Sequence, residues 1–254
     1  LWANLGSITT SGSWSSSGAS DLIQVDSTGT LNLGGTFAAS SIAGNITRSG
    51  GTVNLASTLD LSTNGGSYDL GAANNTGNLS LNSGSTVSNG TLLTSNGTSA
   101  STDTFINVSF SGVTLGNGTA NSGNVTVGNG SNLNVSGGLV LDAGKGTLSA
   151  SSTTSLILLG ANTQTLSATA AGGEVIFAGT GDAGVLRSSD AGSTLLIGAN
   201  VLVHGSRGGT VGSGSLGLIN QGTIKADTAS RTITVTGTNW VNNGTLWANL
   251  GSIT

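Results

Sequence analysis

Residues 218–227 read Leu-Ile-Asn-Gln-Gly-Thr-Ile-Lys-Ala-Asp, and residues 240–246 read Trp-Val-Asn-Asn-Gly-Thr-Leu. Each carries Gly, then Thr, then an aliphatic residue, at Gly222-Thr223-Ile224 and Gly244-Thr245-Leu246. The same triplet stands at Gly29-Thr30-Leu31 and Gly51-Thr52-Val53, and the interval from Gly29 to Gly51 equals that from Gly222 to Gly244. That interval is a sensible length for one three-sided turn of a repeat. The triplet stands also at Gly90-Thr91-Leu92 and Gly146-Thr147-Leu148, at irregular intervals. Around the triplets lie short runs in which every second side chain is aliphatic and its neighbour is Asn, Ser or Thr. Thr30-Leu31-Asn32-Leu33, Asn78-Leu79-Ser80-Leu81, Asn124-Val125-Thr126-Val127 and Thr232-Ile233-Thr234-Val235-Thr236 are examples. A period of two is that of a strand with one dry and one wet face. No segment shows the helical period with good helix formers between its apolar positions.

Strands this short cannot stand alone, so they must be covered by the next copy of the same unit, as in stacked-repeat architectures. A β-sandwich of this length needs longer strands, hairpin turns and larger aromatics in its core. Here one turn chemistry returns at coil-like intervals, with Asn89, Asn243 and, one place removed, Asn220 ahead of the triplet. Asn suits left-handed turn positions, and Asn stacked on Asn forms amide ladders. The expected fold is therefore all-β: a right-handed parallel β-helix, a β-solenoid of about eleven coils with no helices of note, continuous over residues 1–254.

Composition agrees with a chain that is almost all sheet. Only 6% of residues are charged, 35% are hydrophobic, 44 are glycine and none is proline. Disordered chains of similar polarity are usually poor in β-branched residues and rich in charge or proline. Proline removes a ladder donor and is kept out of continuous sheet. With no cysteine there is no disulfide framework and no thiolate metal site, which suits bacterial export. Six Lys and Arg against ten Asp and Glu argue against nucleic acid or an anionic membrane surface as partner. No apolar run approaches the ~20 residues of a membrane helix, so no membrane insertion of this segment is expected. Without Met or a signal peptide, the chain reads as a piece of something longer.

A second repeat is longer. Residues 1–9, Leu-Trp-Ala-Asn-Leu-Gly-Ser-Ile-Thr, recur unchanged at 246–254, so that Leu246 repeats Leu1 and Thr254 repeats Thr9. This implies a tandem unit of about 245 residues, or about 5 nm of rod at ~4.8 Å per coil. With no polar cap at either end, open strand edges would template further copies, and the partner expected first is the chain itself, end to end.

The segments 218–227 and 240–246 resemble the Asn-x-Gly-Thr-Ile/Leu coils of large bacterial surface proteins, the filamentous-haemagglutinin-like adhesins and autotransporter passenger regions. That resemblance implies a right-handed β-helix within a very long exported polypeptide, located outside the cell or on its surface, and serving display or adhesion. It transfers no binding residue.

Chemistry has little to work with. The one histidine, His204, reads as a polar residue at a strand end rather than a general base. Nine Asp and one Glu are scattered singly, including Asp60 and Asp69, and Asp182 and Asp190. A polysaccharide-cleaving β-helix needs paired carboxylates in one groove, so polysaccharide binding or cleavage is the alternative reading and the expectation is no enzyme, no catalytic residues and no cofactor. Asp21 and Asp26 flank a strand, but no calcium repeat accompanies them and a turn carboxylate is the expectation, with no metal. The stretch 205–210 lacks the ending of a phosphate loop and reads as turn glycine. Thr232, Thr234 and Thr236 make one strand, not the flat array of an ice-binding solenoid. The eleven Asn-x-Ser/Thr sites, Asn45, Asn107, Asn117 and Asn243 among them, are little more than 25 Asn among abundant Ser and Thr give by chance. Trp2, Trp14, Trp240 and Trp247 would gather where units join. They are the candidate junction or carbohydrate-stacking residues, with host-cell or matrix glycans as a further partner, and filling of a wide coil as the competing reading.

Overall fold

The computed structural model describes residues 1–16, 22–71, 74–104 and 106–254. It is a parallel β-solenoid whose strands stack in three columns, here called faces in the order the chain meets them. Face 2 is the longest stack, an eleven-stranded parallel sheet from Ser7–Thr9 to Thr245–Ala248, hence ten turns between first and last strand. Just before each of these strands the chain forms face 1, beginning with Trp2–Ala3, Ile23–Val25 and Ile46–Arg48 and ending at Val241–Asn242. Just after face 2 comes face 3, which begins at a bridge between Ser13 and Thr36 and ends at Ser252–Ile253. The long strands Thr86–Leu93, Asn107–Leu115 and Asn132–Leu141 run from face 3 into the following face 1. They bend at Asn89 and Gly90, at Gly112, and at Gly137 and Gly138, all at positive φ. Two short 3-10 turns, Ala39–Ser41 and Leu61–Asn64, are the only helical segments among the described residues.

The alternation read from the sequence becomes an inside and an outside. On face 2, Leu31 pairs in register with Val53, Val53 with Leu79 and Leu79 with Ala100, every one of them buried. Each rung lays its aliphatic side chain on the one beneath, at about 1.5–3 kcal/mol per fully buried Val, Leu or Ile. Faces 1 and 3 contribute Val113, Leu139 and Leu166, and Val87, Phe110 and Val135, to the same continuous core. Backbone ladders alone would tolerate a register slip; in-register aliphatic columns do not, since a one-residue slip would turn the dry face outward.

The turns are unequal, which is why ten cover the distance for which uniform coils suggest about eleven. The turn that carries the chain from Leu79 to Ala100 is short, and the one from Gly146 to its partner Val175 is far longer. The Gly-Thr-aliphatic triplet does not mark one column either. Thr30, Thr52, Thr147, Thr223 and Thr245 stand on face 2, whereas Thr91 lies on face 1, paired with Ser67. Gly90 stands at the bend between two faces, whereas Gly146 lies within the strand Gly144–Ala150. The Asn positions divide similarly. Asn89 is left-handed, with φ 59°. Asn220 is extended and donates its amide to Asn242 Oδ1 at 2.7 Å; Asn54 does the same to Asn32 at 2.7 Å, and Asn132 to Asn107 at 2.9 Å.

One core position is under-filled. Gly146 points inward, is buried, and a Cβ built on it meets nothing within 4 Å. Its φ lies outside the left-handed region, so Gly146→Ala should raise stability by about 0.5–1 kcal/mol through a stiffer unfolded chain. A higher urea midpoint at unchanged slope would show it; a lower midpoint would count against this packing.

Candidate functional site

Stacking assembles on the outside of face 2 what the sequence scatters. Lys145 and Glu174 are in register on adjacent turns, and Lys145 Nζ lies 3.3 Å from Glu174 Oε1. His204, just beyond the Leu202 that pairs with Glu174, reaches back so that its Nε2 is 3.2 Å from Glu174 Oε2. Its other nitrogen, Nδ1, is 3.2 Å from Asp227 Oδ2 on the following turn. Lys225 Nζ is 3.5 Å from the same oxygen and 4.8 Å from the ring centre of Trp247, its partner one turn further. The chain's one histidine, one glutamate and both lysines thus lie in a single line with Asp227 and Trp247, over five successive strands of face 2.

The line is close to neutral and its members occupy one another. A neutral imidazole donates from one nitrogen only, so His204 satisfies both carboxylates as a donor only when protonated. Burial pushes the Asp227 carboxyl up, but the His204 hydrogen bond, the charges of His204 and Lys225 and the Gly205 amide outweigh it and hold Asp227 below the usual carboxylate range. A carboxylate with a depressed folded-state pKa contributes stability that is present above its unfolded pKa and is lost as pH falls through the folded one. The chain is therefore expected to lose stability below about pH 4, and Asp227→Asn to flatten part of that slope. Urea unfolding at pH 3 and pH 7 checks this; equal slopes in the two proteins would remove Asp227 from the account.

Beside this line, at the corner between faces 1 and 2, lies a depression of about 330 Å³ lined by Ala143, Lys145, Gly172, Glu174 and Asn200 among others. It exists because Asn121, Ala143, Gly172 and Asn200 turn the same corner of successive turns in left-handed conformation.

The other candidates are dispersed. Asp60 caps the 3-10 turn through Ser62 N and Oγ, and Asp69 accepts from the amides of Gly71 and Ser95. Asp182 accepts from Gly208 N at 2.9 Å and Arg231 Nη1 at 3.0 Å, and Asp190 from Gly160 N at 2.9 Å. Asp26 is taken up by Trp2 Nε1 at 2.6 Å, Ser49 Oγ at 2.7 Å and Gln24 Nε2 at 3.1 Å, all donors, as suits a turn carboxylate. Asp21 lies outside the described residues. Among the described residues, no group of three or more His, Cys, Asp or Glu is arranged to hold a metal ion. Gly205 to Gly208 form the corner between faces 2 and 3. Thr234 does find company, since Thr210 pairs with it from the turn below and Thr254 Oγ1 lies 3.2 Å away above.

The four tryptophans separate. Trp14 stacks on Phe37 with ring centres 4.7 Å apart, packed against the core. Trp2 is 60% exposed at one end of the rod, while Trp240 and Trp247, 40% and 49% exposed, are at the other. A single chain does not bring these ends together.

Fold and surface place the chain in the class of parallel β-solenoids. No protein-family model matches it, and neither a curated protein nor a solved structure is significantly similar to it. No helix among the described residues is long and apolar enough to cross a membrane.

Proposed function

We propose that the chain is a structural rod segment of a large exported bacterial protein, displayed on the cell surface or outside the cell as an adhesin stalk or fibre-forming repeat. The observation that carries this reading is that the core runs without a break through ten turns. Among the described residues the large exposed hydrophobic side chains, from Leu1, Trp2, Leu5 and Leu22 to Trp240, Val241, Trp247 and Leu250, all belong to the outermost turns. The sides of the rod carry instead small polar residues and ionic groups that pair with one another between rungs. Such a body transmits length and stiffness, about 48 Å at ~4.8 Å per turn, and offers continuation as its open chemistry.

Polysaccharide binding or cleavage is the second reading, favoured by the line from Lys145 to Trp247 and the depression beside it. Against cleavage stands the way Glu174 and Asp227 are both tied to His204. Negative-stain microscopy of material from the source organism separates the readings. Unbranched rods with a recurring axial period of about 5 nm are expected. Compact particles, or turnover of an anionic polysaccharide by the purified chain, would overturn the structural role.

A further inference from the structure

The two copies of Leu-Trp-Ala-Asn-Leu-Gly-Ser-Ile-Thr do not occupy equivalent places. In residues 1–9, Trp2–Ala3 is on face 1 and Ser7–Thr9 on face 2. In residues 246–254, Trp247 and Ala248 are on face 2 and Ser252–Ile253 on face 3. The same nonapeptide has moved on by one face after ten turns.

The copies also use opposite edges of their backbone. In the first copy the carbonyls of Leu1, Ala3 and Gly6 accept from Gln24, Asp26 and Thr30 of the turn that follows. In the second copy the amides of Asn249, Leu250 and Gly251 all donate to Ala226 O, those of Ser252 and Thr254 donate to Arg231 and Ile233, and the Thr254 carbonyl accepts from Val235, all of the turn that precedes. Counted within the nonapeptide, these are places 4, 5, 6, 7 and 9, against 1, 3 and 6 in the first copy. Place 6 alone is shared, and there the first copy uses the carbonyl of Gly6 and the second the amide of Gly251, so one rung satisfies both at once. Inward side chains agree as well: Ile8 and Ile253 hold the same place in the nonapeptide and both pack against the core. The indole completes the match. Trp2 donates to Asp26 from the following turn, while Trp247 lies against Lys225 from the preceding one.

We infer that residues 1–9 and 246–254 are one rung seen from its two sides, and that units of this rod join by sharing it. A second copy of this chain docks by laying its residues 1–9 where 246–254 now lie, on the open edges of Thr223–Ala226 and of residues 232–235. Each unit then advances ten and one-third turns, and the next is rotated by one face about the axis. The ionic line on face 2 runs on through the shared tryptophan to Asp26 of the next unit. This rests on the structural reading above and adds to it a register and a partner segment. In the 254-residue chain that edge is taken in cis by the chain's own copy of the nonapeptide.

The test compares the full chain with one ending at Thr245. Removal of 246–254 is expected to convert a monomer into head-to-tail polymers by sedimentation and microscopy. The synthetic nonapeptide LWANLGSIT in excess should return them to monomer. Circular dichroism at each step reports whether the shortened chain keeps its sheet. Should it not, Ile253→Asp in the full chain loosens the cis rung without deleting it. Polymers from Ile253→Asp, lost in the Ile8→Asp/Ile253→Asp double variant, would carry the same conclusion. If instead the full chain polymerises and the shortened one does not, the shared rung is wrong while the fibre reading stands. If no form polymerises, the shared rung falls, and the fibre reading then rests on the source material alone.

Discussion

Phe177→Ala is expected to cost about 3–5 kcal/mol, among the largest effects of any single core truncation in the chain. Phe177 is fully buried on face 2, in register with Leu148 below and Gly205 above. Two glycines make the room its ring takes, and a third lets the backbone of the next turn approach. A Cβ on Gly184 would stand 2.5 Å from the ring's Cδ1, and one on Gly209 would stand 3.0 Å from the same atom. A Cβ on Gly205 would fall 2.0 Å from the Phe177 carbonyl oxygen. Removing the ring therefore leaves a cavity lined by residues with no side chain to move into it, the situation in which relaxation recovers least. Gly184→Ala alone should destabilise by about 1–3 kcal/mol through overpacking. Combined with Phe177→Leu the penalty should shrink, a coupling that a double-mutant cycle measures. Urea unfolding followed by circular dichroism gives each value; a loss below about 1 kcal/mol for Phe177→Ala would mean that the ring is not packed as described.

That environment also shows how far the sequence could be read. Which residues face inward is a local property, carried by alternation, and Leu31, Val53, Val125 and Ile233 are legible one strand at a time. Which residues lie above one another is not local, because it depends on the length of every turn between them. Where successive turns keep the spacing of the triplet, as from Leu31 to Val53 and from Ile224 to Leu246, the triplet reveals them. From Gly146 to Val175, and from Val175 to Val203, the turns are considerably longer, and no motif announces it. The line on face 2 is assembled across those long turns, so His204 looks solitary in the sequence although two carboxylates meet its ring. A column count could have exposed it: once Val175 and Val203 are set in one column, Glu174 and His204 fall on the same outer face. Trp14 was ambiguous for a different reason, since its partner Phe37 lies on the next turn and nothing in either local pattern links them.

Arg48→Ala is expected to produce the second large effect, and a localised one. Ile46–Arg48 pairs with Ile23–Val25 below it, while Ser67–Asp69, the next strand on face 1, pairs with residues 91–93 above. Between those two strands the ladder lapses, and the Arg48 guanidinium bridges the two turns at the corner that leads into face 2. It donates to Thr76 O at 2.8 Å and, more distantly, to Asn78 O at 3.5 Å on the far side. On the near side it donates to Gly50 O at 3.0 Å and Gly51 O at 2.5 Å. No carboxylate pairs with it among the described residues, and burial pushes its pKa down. The charge is tolerated because carbonyl dipoles from both sides replace water around it. Alanine would leave those carbonyls without donors, at about 1–3 kcal/mol for each one that water does not reach. Lysine should not restore the loss, since one ammonium cannot span acceptors that a planar fork reaches from two edges. In a stacked-repeat protein each turn is held mainly by its neighbours, so the damage should appear as a hinge between the third and fourth turns rather than as global melting. Hydrogen exchange is then expected to quicken first around residues 46–55 and 76–81, with the turns beyond Asn107 keeping their protection. Uniform acceleration along the rod, or full rescue by Arg48→Lys, would show that the guanidinium does not bridge this break.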